Sequence, residues 1–323
     1  MKLIVQIPCL NEAETLPQTL ADIPRTIPGI DAIELLVIDD GSTDDTVGVA
    51  RRAGVHHIVR NTRTLGLARS FRRGLDACLR AGADIIVNTD GDNQYSGADI
   101  PTLLVPILDG TADIVVGNRQ TGRLANFSPV KKLLQRVGSG VVQRLAGAEV
   151  PDTVSGFRAI SREAAIQLNI VSSFSYTTEM VIQAGKKRLA MVSVPIRTNP
   201  HTRSSRLAQS IPHFVARSTS TMIRTYAMYQ PLRVFFYIGT VLFLIGVVPI
   251  VRFLYYFAAG SGAGHVQSLV IGGAFLIMGF VAYMIGLVAD LIAVNRQLLE
   301  TALERIRRLE LEREHRPPGA DRR

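Results

Sequence analysis

Ile85-Ile86-Val87-Asn88-Thr89-Asp90-Gly91-Asp92-Asn93-Gln94-Tyr95 is the stretch on which the reading of this chain turns. Three apolar residues predict a buried strand, which breaks at once into two carboxylates around a glycine. In an open α/β sheet, ligands gather outside the carboxyl ends of the strands, where the chain leaves the core and can expose polar groups. Asp90 and Asp92, with Gly91 letting the backbone approach closely, can turn oxygens toward one hard cation. A magnesium ion held this way keeps waters and shares itself with the phosphates of a substrate. A simple polar turn would also accept Asp-Gly-Asp-Asn, so the flanking chain has to decide between the two.

Working outward, the same pattern repeats. Lys2–Ile7 reads as a strand ending at Pro8, and Asn11-Glu12-Ala13-Glu14 is expected to open a helix with acidic residues in its first turn. Ile33–Ile38 reads as a second strand, followed by Asp39-Asp40-Gly41-Ser42-Thr43-Asp44-Asp45-Thr46 and a helix through Arg52. His56–Val59 predicts a short strand, Gly66–Ala81 a helix with arginines on its exposed side, and Asp113–Val116 a strand closed by Gly117-Asn118-Arg119. Strands alternating with helices imply βαβ units and a mostly parallel sheet, with polar loops on one edge. Neither G-x-G-x-x-G nor G-x-x-x-x-G-K-[ST] occurs, which excludes the dinucleotide fingerprint and the P-loop.

The 323 residues suggest two units, and a mean hydropathy of +0.21 is high for a soluble protein. The apolar excess lies in residues 232–258 and 266–289, each longer than the roughly 20 residues that a helix needs to cross a bilayer. No charged leader with a cleavable apolar run begins the chain, so the first domain is expected in the cytosol. Cys9 and Cys78 show no metal spacing, which suits a reducing compartment.

No acidic residue occurs between Glu179 and Asp290, whereas Lys186, Lys187, Arg188, Arg197, Arg203, Arg206, Arg217 and Arg224 precede the first apolar stretch and Arg233 stands at its start. This region accounts for the net charge of +9. Such a segment reads as a surface held against anionic headgroups, worth about 1 kcal/mol per basic residue. Nucleic acid is the rival partner, and no nucleic-acid motif accompanies the charge. Ile211, Phe214, Val215, Ser218, Met222 and Tyr226 recur at helical spacing, as an amphipathic interfacial helix would, or one packed on the soluble domain. The loop near 259–267 carries no Lys or Arg while both outer flanks do, so both ends are expected in the cytoplasm. Arg252 can snorkel toward the far headgroups, and Asp290 sits near the cytoplasmic end. Leu291, Leu298, Ala302, Arg305 and Leu309 then follow a heptad-like course that could join subunits, and from Pro317-Pro318 a disordered tail is expected.

Pro8-x-x-Asn11-Glu12, Val37-Ile38-Asp39-Asp40-Gly41-Ser42, Thr89-Asp90-Gly91-Asp92-Asn93-Gln94 and Ser155-Gly156-Phe157-Arg158 together resemble the successive motifs of the family 2 inverting glycosyltransferases. The nearest resemblance is to the polyprenyl-phosphate, dolichyl-phosphate-type hexosyltransferases, and it covers roughly residues 1–210. It implies a GT-A-like α/β domain over 1–206, interfacial helices over 207–230, two transmembrane helices over 231–295, and a charged cytosolic helix with a tail over 296–323. It also implies a multi-pass protein of the cytoplasmic (inner) membrane, with a homo-oligomer possible through the membrane helices and the C-terminal helix.

By the same resemblance, Pro8, Leu10 and Glu12 line the nucleoside, and Ile38 and Asp40 hold its base and ribose. Asp90, Gly91, Asp92 and Gln94 make the loop that carries Mg²⁺ or Mn²⁺. Arg119 and Lys131 lie near the acceptor phosphate, and Arg203 or Arg206 near the donor pyrophosphate. Asp152 and Glu179 are the carboxylates that could position or relay a proton. Helix capping is the structural alternative for Glu12 and Asp40, a surface ion pair for Arg119, and a loop-ordering hydrogen bond for Asp152 and Glu179. With no tryptophan, the chain cannot carry the Q-x-x-R-W motif of processive synthases, so one sugar per acceptor is implied. The expected reaction moves one hexose from a UDP- or GDP-linked sugar to a polyprenyl phosphate. A non-catalytic nucleotide-sugar-binding scaffold and a sugar-1-phosphate nucleotidyltransferase are the competing readings.

Overall fold

Short apolar runs alternating with amphipathic stretches give β1 (Lys2–Cys9), α1 (Leu16–Asp22), β2 (Ala32–Asp39), α2 (Thr46–Arg52), β3 (His57–Arg60), α3 (Leu67–Arg80), β4 (Ile85–Asn88), α4 (Ile100–Leu108) and β5 (Ile114–Asn118). They are followed by β6 (Arg158–Ser161), α5 (Arg162–Gln167), α6 (Tyr176–Lys186), β7 (Met191–Pro195), α7 (Pro231–Ala258) and α8 (Val266–Glu314). The computed structural model describes residues 1–120, 138–140, 142–144, 146–147, 150–171, 176–199, 227, 229–260 and 262–314. Lys131, Arg203, Arg206, most of the expected interfacial helix and the tail from Pro317 lie outside the described residues.

The strands form one seven-stranded sheet in the order β3-β2-β1-β4-β6-β5-β7. β1 pairs in parallel with β2 and β4, β2 with β3, and β5 with β7. β6 alone runs against its neighbours, β4 and β5. Its first residue, Arg158, therefore pairs with Asn88 at the end of β4 and with Val116 near the end of β5. The carboxyl ends of β1, β2, β4 and β5 and the amino end of β6 thus share one edge. β1, β2 and β4 are buried on both faces, as central strands covered by helices must be. Gly74 lets α3 lie directly on this layer, since a Cβ there would come within 2.5 Å of Gln6 Oε1 and 2.8 Å of Ile38 Cδ1.

Two expectations need correction. The strand predicted to stop at Pro8 continues to Cys9, whose carbonyl accepts the Asp40 N–H at 2.9 Å. The helix expected to open at Asn11-Glu12 begins only at Leu16 and has no acidic residue in its first turn. Asn11 takes a left-handed φ of 54°, and the Glu12 carbonyl accepts the N–H groups of Thr15 and Leu16 in a tight turn. A residue in that conformation interrupts a right-handed helix.

The chain divides into two compact units, Met1–Met222 with Glu304–Arg323, and Ile223–Leu303. In the first, the last turns of α8 pack on the sheet domain. Arg307 Nη1 donates to the Ile166 carbonyl at 2.9 Å and the Leu168 carbonyl at 3.1 Å, capping the carbonyl end of α5, while Nη2 lies 3.3 Å from Asp76. Arg308 pairs with Glu163, and Leu311 is buried.

The second unit contains α7 and most of α8, two helices long and apolar enough to cross a membrane. They pack through glycine. A Cβ on Gly246 would lie 2.8 Å from the Gly272 carbonyl oxygen, one on Gly272 2.8 Å from the Gly246 oxygen, and one on Gly239 3.0 Å from the Gly279 oxygen. Small residues that let backbones meet are the usual means of joining helices in lipid, where no hydrophobic force draws them together. Thr240 and Tyr283 add a hydroxyl pair at 3.0 Å. α8 continues without a break past residue 295.

Candidate active site

At the end of β4 the chain turns through Thr89 into Asp90, and the loop is held from several sides. Thr15 Oγ1 sits 2.8 Å from Glu12 Oε2 and 2.9 Å from the Gly91 carbonyl, its one proton serving either. A Cβ on Gly91 would meet Cys9 Sγ at 2.9 Å and Glu12 Cγ at 3.3 Å, so Gly91 is where this loop and the one after β1 touch. Asp92 Oδ1 accepts the Gln94 N–H at 3.1 Å across Asn93, whose φ is 56°. Asn199 then fastens the far side, its N–H reaching the Gln94 carbonyl at 2.9 Å and its side-chain amide the Asn93 carbonyl at 3.1 Å. Asn199 lies four residues before Arg203.

Asp90 keeps part of its surface open, and no described residue donates a hydrogen bond to its carboxylate. Burial among its neighbours, then the charge of Asp92, push its carboxyl up to about 7, with Arg119 pulling the other way. The Cys9 thiol is likewise raised well above its ordinary range, first by burial and then by Glu12, Asp39 and Asp90. Burial leads in both, and the neighbouring carboxylates add negative charge along this edge. A divalent cation fits it: Asp90, Asp92 and Gln94 offer only oxygen donors, too few for an octahedral shell without water or phosphate oxygens. Among the described residues, no three His, Cys, Asp or Glu side chains converge as a closed metal cage would require.

Arg119 follows β5 beside this loop. Its Nε and Nη2 donate to Asp152 Oδ2 and Oδ1 at 2.7 and 2.9 Å, and its backbone N–H also reaches Oδ2. Asp152 is buried and Arg119 half-buried, so the fork sets the guanidinium plane. Arg158, fully buried, instead donates to the carbonyls of Thr153, Ser155 and Thr177, which fixes the turn into β6.

The other expected site residues fall into two groups. Pro8 and Glu12 border Gly91, and Leu10 is half-buried in the same loop. Ile38 is different, because its side chain is committed to the core beneath Gly74 and only its main chain can face a nucleoside. Asp40 receives Asn61 Nδ2 and the Leu65 N–H on Oδ1 and the Gly66 N–H on Oδ2, at 2.7 to 2.9 Å. It thus organises the turn that leads into α3. Glu179 Oε1 accepts from the Val171 N–H at 3.0 Å and Gln183 Nε2 at 3.1 Å, a loop-ordering arrangement.

Sequence reasoning missed the polar layer below the loop. Asn88, fully buried, accepts from Gln6 Nε2 and donates to the Gly156 carbonyl and to Tyr176 Oη. Tyr95 Oη accepts the Gly156 N–H. The only signal was a polar Asn88 closing an apolar strand and two tyrosines near carboxylate-bearing motifs.

A mostly parallel sheet with this acidic, glycine-spaced loop at its carboxyl edge is the architecture of a GT-A-like α/β domain. The chain belongs to glycosyl transferase family 2, whose sequence pattern matches residues 4–168. It is 30% identical over 207 residues to an undecaprenyl-phosphate mannosyltransferase of Micrococcus luteus, covering 61% of this chain and 83% of that protein. It is 28% identical over 204 residues to a polyprenol monophosphomannose synthase of Mycolicibacterium smegmatis, covering 60% and 76% of the two. Its fold is similar to the crystal structure of glucosyl-3-phosphoglycerate synthase from Mycobacterium tuberculosis in complex with Mn²⁺, UDP and glucosyl-3-phosphoglycerate. That likeness has a TM-score of 0.55 and 24% identity over 70% of this chain and 80% of that one.

Proposed function

We propose that this chain is a membrane-anchored glycosyltransferase that moves one hexose, with inversion, from a nucleotide sugar to a polyprenyl phosphate. The observation that carries the reading is the Asp90-Gly91-Asp92 loop at the sheet edge with Asp90 partly exposed, in a chain similar to enzymes named for mannosyl transfer to polyprenyl phosphates. Mg²⁺ or Mn²⁺ held by Asp90, Asp92 and Gln94 would neutralise charge growing on the departing nucleoside diphosphate. Pro8, Leu10, Glu12 and the main chain at Ile38 would line the nucleoside.

Arg119 would face the acceptor phosphate with its guanidinium plane already set by Asp152, and a preset donor needs no reorganisation as charge develops. Lys131 would add a second cation there, and Arg203 or Arg206 would take the donor pyrophosphate. An acceptor phosphate has its second pKa near about 6, so it is largely dianionic at neutral pH and attacks without a strong base. This suits an Asp152 held by Arg119 and a Glu179 held by backbone and amide donors. α7 and the apolar part of α8 would anchor the enzyme in the cytoplasmic membrane with the sheet domain in the cytosol.

The test is transfer of labelled mannose from GDP-mannose, and of labelled glucose from UDP-glucose, to polyprenyl phosphate in vesicles with Mg²⁺ or Mn²⁺. Label is expected in the lipid phase with one donor. Donor binding without transfer from any nucleotide sugar would instead identify a non-catalytic scaffold.

A further inference from the structure

Gly156 does not take a left-handed φ, so nothing in its backbone conformation demands glycine. What demands it is space. A Cβ built there would lie 3.0 Å from each carboxylate oxygen of Asp90 and 3.2 Å from Tyr176 Oη. The remaining atoms of this glycine are pinned. Its N–H donates to Tyr95 Oη at 3.0 Å, and its carbonyl accepts Asn88 Nδ2 at 2.8 Å, with the Tyr176 hydroxyl at 3.4 Å. The pins are themselves rigid: the Tyr176 ring stacks on Phe71 with centroids 3.8 Å apart, and the Tyr95 ring stacks on Phe157 at 5.2 Å. Asn88 is anchored from below by Gln6 Nε2 at 2.9 Å. Asp90 thus rests against a glycine whose two peptide groups are fixed by side chains from β1, β4, the loop after β4 and α6.

We propose that Gly156 and Tyr176 are positioning residues for Asp90: together with Asn88 and Tyr95 they form a fixed wall that sets where the Asp90 carboxylate stands relative to Asp92. The proposal rests on the reading of Asp90 and Asp92 as cation ligands and assigns no contact with substrate to the wall. Ligand geometry has to be held to within about 0.5 Å by locked neighbours. Oxygens that close to a new methyl group must give way by a few tenths of an ångström. Supporting partners of this kind are worth about 10- to 100-fold in metal affinity.

Full-length protein in detergent, with nucleoside diphosphate present, is titrated with Mn²⁺, and free Mn²⁺ is read by electron paramagnetic resonance; turnover and the unfolding midpoint are measured alongside. Gly156→Ala is expected to weaken Mn²⁺ at least tenfold, with turnover recovering at high Mn²⁺ and an unchanged KM for the lipid acceptor. Tyr176→Phe keeps the ring stack but removes the hydroxyl, and is expected to weaken Mn²⁺ by about threefold to tenfold. Asp92→Asn is the reference. If it binds Mn²⁺ like the wild type, the cation reading fails. If it loses Mn²⁺ while Gly156→Ala binds normally, the positioning proposal is overturned. Should Gly156→Ala fail to fold, an unchanged Mn²⁺ affinity of Tyr176→Phe overturns it, and a weakened one supports it.

Discussion

The loops after β2 and after β4 read almost alike, each an apolar strand running into aspartates and glycine, yet the structure uses them differently. Asp40 has both oxygens occupied by protein donors, from Asn61, Leu65 and Gly66. Asp90 receives none from the described residues and is pushed toward protonation by burial and by Asp92. A strand-end carboxylate that the protein has already satisfied holds structure, whereas one left unsatisfied at a partial opening is available for a ligand. Sequence position alone does not separate the two, because the donors to Asp40 come from residues 21 to 26 positions away.

The contrast can be broken most easily at Asp92. Removing one charged oxygen from a cation that has few protein ligands should lower transfer by about a hundredfold or more, the range seen when charge-stabilising groups are lost. Asp92→Asn should keep the unfolding midpoint of the parent, and near-normal turnover of this variant in chelator-treated buffer would end the comparison. Asp40→Ala should show the opposite pattern, with the Leu65 and Gly66 N–H groups, both half-buried, losing their acceptor and the Asn61 amide left only Ser70, and a loss of about 2 kcal/mol of stability by urea unfolding. Unchanged stability together with lost nucleotide binding would instead return Asp40 to the nucleoside.

Arg119→Lys tests a third strand end. Lysine keeps the charge but not the planar fork on Asp152, and about tenfold lower turnover, or 1.4 kcal/mol of barrier, is expected with little change in folding. A larger drop in melting temperature than in rate would make the pair structural. The smallest effect belongs to Arg307→Ala, which removes the cap on the end of α5 and should cost about 1 kcal/mol in thermal unfolding while leaving Mn²⁺ binding intact. Weakened cation binding in that variant would mean that the end of α8 reaches the site through α5 and β6.

Strands β1 to β5 were legible because they are short apolar runs with polar punctuation, and the Asp90 loop because its chemistry is local, whereas β7 went unread. The reversed β6 was not legible either, since Arg158-Ala159-Ile160-Ser161 carries no mark of direction and its pairing with β4 joins residues about 70 apart. The wall behind Asp90 stayed hidden for the same reason: Asn88, Gly156 and Tyr176 are separated by 68 and 20 positions and meet only when β6 turns back. The helix misplaced at Asn11 shows a different limit, because acidic residues favour a first turn but a single left-handed φ overrides them.

The glycine seam between α7 and α8 also bears on how a lipid substrate would be accommodated. Where Gly246 faces Gly272 and Gly239 faces Gly279, the space cannot take even a methyl group, so no branched isoprenoid tail can thread between the helices there. If the acceptor is a polyprenyl phosphate, as proposed, then among the described residues its tail is left the outer face of the pair, where side chains such as Phe236, Phe243 and Phe280 lie exposed. A tail that lies along an outer surface, with no tunnel around it, is gauged only by the area it covers. Each added isoprene unit would then change affinity by a small, even step, and this helix pair would supply no ruler by which a long polyprenol is rejected.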